Sequence, residues 1–340
     1  MERNRFIDFL KGICILFVII THFSWVSLER QIGLFPFWID MAVPVFMIIS
    51  GFVYSKSFLR NEIFDFEKAY HPQNTLPKLV RYTVPFAIIF IIQVTLGILD
   101  GNNYSILSVI KLFFTGGQGP GSYYYPIMIQ FVFLFPLIFA LVNKCGKKGV
   151  LICGAINVVF EISKWAYDMN ESLYRLLIFR YVLLIAVGVY ISIRNHSEKS
   201  KAIFNVLAFA VSIGFILATY YVGYNSIIFS YWTSTCIVSC LFIIPIMTFL
   251  LNKCRLHFSP VEFIGKASFH IFLIQMLYYH GFANKIYALF ENRAIDLVVS
   301  IGICIIGGIF FYLLESPVSK YINKKIKFFY QKREARIKPL

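Results

Sequence analysis

The pair of residues best suited to chemistry in this chain is a histidine inside a long apolar run and a cation eleven positions before it. The run extends from Ile7 to Val26; it contains His22, and Lys11 stands near its start. Eleven helical residues advance about 16 Å and return to nearly the same face, because eleven steps of ~100° come close to three full turns. One helix would then show a fixed positive charge near one membrane surface and an imidazole deep inside, on a shared stripe. Such an imidazole can accept the proton of an attacking hydroxyl, and such a lysine can hold a phosphate at the far end of a long donor molecule. A histidine in a membrane span can equally be a plain interhelical hydrogen-bonding group.

Other residues carry a functional and a bland reading side by side. Arg180 falls about a third of the way into the apolar run 173–193, where an arginine costs several kcal/mol unless it faces a polar cavity or a partner. Glu161 is the candidate partner if Arg180 is structural. Lys11 and Arg81 stand near the ends of their runs and suit phosphate binding; ordinary charge anchoring at a membrane surface explains them too, and explains Lys56, Arg60 and Lys78 better. Asp8, three residues before Lys11, can pair with it along the helix. His270 and His280 are ten residues apart and so lie on different helix faces, the first a packing or cavity residue and the second interfacial. His71, His196 and His257 fall in loops. The run Gly116 to Gly121 has no strand before it, so it reads as flexible backbone and not as a phosphate-binding loop. Tyr123, Tyr124 and Tyr125 follow it as an interfacial aromatic belt. The seven cysteines show no metal-type spacing, and no metal is expected.

The elements that must position these residues are membrane helices. Of the 340 residues, 59% are hydrophobic and only 14% charged, against about 25% charged in soluble domains. The fold class is therefore all-α, a polytopic membrane helical bundle. Hydropathy marks about ten spans, at 7–27, 36–57, 82–99, 124–142, 149–167, 173–193, 202–222, 228–251, 262–280 and 296–314. The segment Ile106 to Phe114 is too short to cross. The basic start at Arg3 and Arg5 has no small-residue cleavage site after it, so the first span is expected to be retained. One alternating set of loops, together with the stretch after Lys320, holds 25 of the 32 basic residues. The other set, with the spans, holds Arg30, Lys111, Lys164, Arg175, Arg180, Lys285 and Arg293. Positive loops stay inside, which places both termini in the cytoplasm. This also accounts for the net charge of +15 without a nucleic-acid partner. Residues 1–319 form the transmembrane domain and 320–340 a basic cytoplasmic tail, whose interleaved Ile326, Phe328, Phe329 and Tyr330 suit a helix lying on anionic lipid.

Six motifs then occur in order. The first span runs Arg5-Phe-Ile-Asp8-Phe-Leu-Lys11-Gly12 and ends Thr21-His22-Phe23; the second reads Val43-Pro44 and then Ile49-Ser50-Gly51-Phe52. The third opens Pro77-Lys78 and continues to Arg81 and Pro85; the fourth has Tyr123 to Pro126 and then Ile129-Gln130-Phe131. The ninth has Phe263-Ile264-Gly265-Lys266 and Leu273-Ile274-Gln275; the last ends Leu314-Glu315-Ser316-Pro317. In these motifs the chain resembles the acyltransferase 3 family of integral membrane O-acyltransferases. The resemblance implies transfer of an acyl group, commonly acetyl, from cytoplasmic acyl-CoA (acetyl-CoA) to a hydroxyl of a surface polysaccharide or lipid-linked sugar, in the bacterial cytoplasmic membrane. It implies His22 as general base, with Asp40 orienting the imidazole, binding the sugar or merely capping a helix. Arg180 would stabilise donor or oxyanion; Lys11, Arg81 and Glu315 would serve the donor site; Tyr124, Gln130 and Gln275 would serve the acceptor. The family's first-span motif has arginine where this chain has Lys11, a point charge without a planar fork. Many relatives also carry Glu before the position of Gln130 and His in place of Gln275. A transporter or flippase that moves a sugar, lipid or acyl group without making bonds is the competing function. A lapsed relative that supports membrane-protein assembly is a third.

Overall fold

The structure is a computed structural model that describes residues 5–193, 202–224, 236–290 and 292–337. Among the described residues every regular element is helical. In chain order these are α1 Arg5–Thr21, α2 Ser27–Ile32, α3 Ala42–Arg60, α4 Phe66–Tyr70, α5 Pro72–Leu99, α6 Ile106–Phe114, α7 Tyr124–Cys145, α8 Lys147–Ala166 and α9 Glu171–Leu176. There follow α10 Val182–Ile193, α11 Ala202–Ile216, α12 Ile237–Cys240, α13 Ile243–Lys253, α14 Ser259–Lys266, α15 Ser268–Gly281, α16 Ala283–Tyr287 and α17 Arg293–Ile337. Among the described residues five helical stretches are long and apolar enough to cross a membrane: Phe35–Arg60, Phe66–Leu99, Tyr124–Cys145, Lys147–Ala166 and Arg293–Tyr330.

Several expected spans are shorter or broken. The first ends at Thr21, so His22 stands just beyond a helix C-terminus and not within the helix. The run 173–193 divides into α9, a 3-10 turn at Ile178–Tyr181, and α10; Arg180 is on that turn. The run 262–280 divides into α14 and α15 at Ala267. The run 202–222 changes from α11 to a π-helical turn at Leu217–Tyr221. The start of the expected span 228–251 lies outside the described residues, as do Arg3, Arg194, His196, Lys199, Lys201 and Lys338. The last helix, by contrast, runs on. Its 45 residues pass through Pro317 and the expected tail boundary without a break, about 67 Å of helix against a hydrocarbon core of ~30 Å. The helix α6, with nine residues, is as short as the sequence indicates.

The chain forms two compact units, one of residues 1–63 and 137–266, the other of 64–136 and 267–340. In the first, two pairs of helices pack backbone against backbone, and glycines make this possible. A Cβ on Gly51 of α3 would lie 2.2 Å from the Ile185 carbonyl oxygen of α10, and one on Gly188 of α10 would lie 2.1 Å from that of Ile48. Gly12 of α1 and Gly265 of α14 are placed likewise, their Cβ positions 2.1 Å from Val261 O and 1.8 Å from Asp8 O. In lipid there is little hydrophobic drive between helices, so close backbone approach and interhelical polar bonds hold them. Ser192 hydrogen-bonds Ser55 across the α3–α10 contact, and Arg5 bonds Glu262 at 3.0 Å across the α1–α14 contact.

In the second unit α5, α15 and α17 pack together. Gly308 of α17 meets the Ile271 backbone of α15, and Phe86 of α5 stacks on Tyr125 at 3.7 Å. The glycine run 116–121 is tied down. Gln93 of α5 donates to Gln118 O at 2.7 Å and accepts from its N–H at 3.1 Å. Positive φ at Gly116, Gly117, Gly119 and Gly121 gives the turn its shape. The expectation of flexible backbone there is thus replaced by a clamped turn.

Candidate functional site

The end of α1 is built to hold one conformation. A helix C-terminus leaves its last carbonyls without intrahelical partners. Here Trp25 Nε1 donates to Ile20 O at 2.7 Å, and Arg30 Nη1 to Thr21 O at 3.4 Å. Arg30 Nη2 also bonds Asp40 Oδ1 at 2.7 Å, and Thr21 Oγ1 donates to the same oxygen at 3.0 Å. The guanidinium lies 4.9 Å from the Phe35 ring centroid and hydrogen-bonds Tyr220. Asp40 reaches this point because the chain turns back through Leu34 in the left-handed region and a 3-10 turn at Phe35–Phe37, with its N–H bonded to Phe35 O at 3.0 Å. His22, half-buried, is the first residue past the capped helix end, and the charges of Arg30 and Arg175 act on it.

In the first half of the same helix Lys11 is half-buried, with Nζ 4.0 Å from the buried Asp8 carboxylate. The local pair foreseen between them is present. Arg180 is almost completely buried, at 1% exposure. Its guanidinium carbon lies 5.1 Å from the Tyr174 ring centroid and 4.8 Å from that of Tyr181. Its charge acts on Glu161, which accepts a hydrogen bond from Tyr174 OH at 2.7 Å. Cys153, Asn157 and Glu161 follow one another at one-turn spacing on the buried face of α8.

The remaining candidates belong to the second unit. Arg81 is exposed on α5, its guanidinium carbon 5.9 Å from the Tyr82 ring centroid. Tyr124 packs on Phe272 of α15 at 5.0 Å between centroids, and Gln130 donates to Pro126 O within α7 at 3.3 Å. Gln275 is fully buried on α15, and among the described residues neither side-chain amide atom has a hydrogen-bond partner. Glu315 lies midway along α17, where His270 Nε2 is 2.7 Å from Oε2 and Ser319 bonds Oε1. Glu315 is thus the partner of His270, a residue the sequence left as packing or cavity.

A family model described as an acyltransferase domain matches residues 4–314, nearly the whole chain. The chain belongs to the acyltransferase 3 family. No curated protein and no solved structure matches it. This acyltransferase is therefore an enzyme whose motif glycines, Gly12, Gly51 and Gly265, are now explained by helix contact. Sequence reasoning missed Arg30, counted only among the few cations of the alternate loops. No local pattern marked it, because its meeting with Asp40 depends on the left-handed Leu34 and the turn at Phe35–Phe37. All seven cysteines are free thiols, Cys145 exposed and Cys14, Cys153, Cys236, Cys240 and Cys304 buried, as apolar filler would be.

Proposed function

We propose that this acyltransferase moves an acetyl group from cytoplasmic acetyl-CoA to a hydroxyl of a cell-surface or lipid-linked polysaccharide, with His22 as general base. It works in the bacterial cytoplasmic membrane, as a bundle of about ten spans with both termini cytoplasmic. The uneven distribution of Lys and Arg between alternate loops supports that orientation. The observation that carries the assignment of the base is the capped end of α1, where Trp25, Arg30, Thr21 and Asp40 hold the backbone beside a half-buried imidazole.

His22 takes the proton of the acceptor hydroxyl as its oxygen attacks the thioester carbonyl. The tetrahedral intermediate collapses, the C–S bond breaks, and the CoA thiolate takes the proton back from the imidazolium. The products are an O-acyl ester and free CoA thiol, with His22 neutral again. Lys11 and Arg81 serve the donor phosphates as point charge and planar fork. Tyr124, Gln130 and Gln275 serve the acceptor. The aromatic surroundings of Arg180 favour its structural role over an oxyanion role.

Replacing His22 by Ala tests the assignment. Acyl transfer to surface glycan, read by mass spectrometry of the polymer, should fall by about 10²–10⁴-fold, with protein level and membrane insertion unchanged. Glycan acylation that persists in His22→Ala would falsify the base assignment. A transporter would instead move its substrate in proteoliposomes without forming any ester.

A further inference from the structure

We propose that Arg30 is a positioning residue for His22, its guanidinium tying the end of α1 to Asp40 so that the imidazole is held in place for proton transfer. The inference rests on the reading of His22 as general base. Three observations carry it. First, Arg30 makes two directed bonds with two different nitrogens, one to the Thr21 carbonyl immediately before His22 and one to Asp40. Second, Thr21 closes the triangle through its own hydroxyl on the same Asp40 oxygen. Third, the Arg30 charge reaches the imidazole itself. An arginine fork can make both bonds at once, and a lysine ammonium has no matching planar geometry.

The surroundings also limit the movement of Arg30. Its side chain is 26% exposed, lies over Phe35 and is hydrogen-bonded to Tyr220. The turn that carries Tyr220 is itself attached to α2, since Tyr221 OH donates to Gln31 O at 3.0 Å. The arginine therefore joins three segments, the end of α1, the turn before α3 and the turn after α11. Asp40 thus acts on the imidazole through Thr21 and Arg30.

The test uses the purified full chain in lipid nanodiscs, with radiolabelled acetyl-CoA as donor and the glycan fraction of the source membranes as acceptor. Misplacement of a catalytic group by ~1 Å costs about 10²-fold. Arg30→Gln should lower kcat by about 10- to 100-fold while KM for acetyl-CoA stays within about twofold. Arg30→Lys, which keeps the charge and loses the fork, should recover part of that loss. Asp40→Asn added to Arg30→Gln should cost less than the product of the two single losses, because the two groups act as one. Should Arg30→Gln reduce the amount of folded protein, Thr21→Val decides the matter, since it removes one bond of the triangle and keeps the ion pair. It should lower kcat by about 3- to 10-fold at wild-type thermal stability. Wild-type kcat in Arg30→Gln, or in Thr21→Val where that is the deciding variant, overturns the proposal, as does a loss carried by KM alone. If His22→Ala retains activity, the assignment of the base fails first. If His22→Ala is inactive and Arg30→Gln is not, only the positioning role fails.

Discussion

Two arginine–carboxylate sites in the first unit look alike on paper and differ in construction. Arg30 meets Asp40 directly, at 2.7 Å, with the guanidinium 26% exposed. Arg180 is 1% exposed, lies over two tyrosine rings, and acts on a carboxylate that Tyr174 already holds. A guanidinium sealed among aromatic rings exchanges water for ring faces and fixes the packing around it. A half-exposed one that bonds a helix end leaves its neighbourhood open to a ligand. The difference between them is that depth in the membrane, the signal that singled out Arg180, reports cost. Adjacency to the proposed base, which favours Arg30, would report use.

The sharpest way to break this comparison is Arg180→Met. It removes the cation from beside Glu161 and Tyr174, and taking one partner from a buried ionic group costs about 3–5 kcal/mol. The expected result is a large fall in the thermal midpoint or detergent resistance of the purified protein. Any residual folded fraction should keep its turnover per molecule. Wild-type stability with abolished transfer would instead return Arg180 to the reaction.

That contrast also shows where the sequence was readable. The helices, their membrane character and the family motifs follow from hydropathy and from short local patterns, because each depends on residues close in the chain. The contact glycines are legible for the same reason, as parts of the first-, second- and ninth-span motifs. What could not be read are the breaks at Thr21, Ala267 and before α10, and every pairing across long separations. His270 and Glu315 are 45 residues apart, and nothing local to either names the other. Arg30 stands only ten residues from Asp40, yet their meeting depends on a left-handed Leu34 and the short turn after it, which hydropathy does not register. The unbroken course of α17 past Pro317 went against a local rule that proline ends a helix.

A smaller change sharpens the Arg180 side. Tyr174→Phe removes the hydroxyl that bonds Glu161 at 2.7 Å and keeps the ring beside the guanidinium. Leaving a buried acceptor short of its donor costs about 1–3 kcal/mol. Thermal unfolding of the variant should fall between wild type and Arg180→Met. A loss as large as that of Arg180→Met would mean that the hydroxyl, and not the cation, holds this cluster together.

The smallest effect is expected where a third set of cations meets a carboxylate in the same unit. Lys164 and Arg175 bond Glu171 at 3.2 and 2.9 Å, but the carboxylate is 46% exposed. Burial works against its charge; the hydrogen bonds from Lys164 and Arg175 outweigh this and hold its carboxyl below the ordinary value. A carboxyl with a lowered pKa in the folded state adds stability above its unfolded pKa, and that contribution disappears as pH falls through the folded value. Exposure screens the interaction, so the contribution is small. Glu171→Gln should therefore leave the thermal midpoint nearly unchanged at pH 7 and slightly flatten its decline in acid. Arg175 is also one of the two cations acting on His22, which gives the same variant a second use. If freeing Arg175 from Glu171 alters turnover as strongly as Arg30→Gln does, then exposure and adjacency do not separate the structural cations from those that serve the imidazole, and the distinction drawn between Arg30 and Arg180 loses its basis.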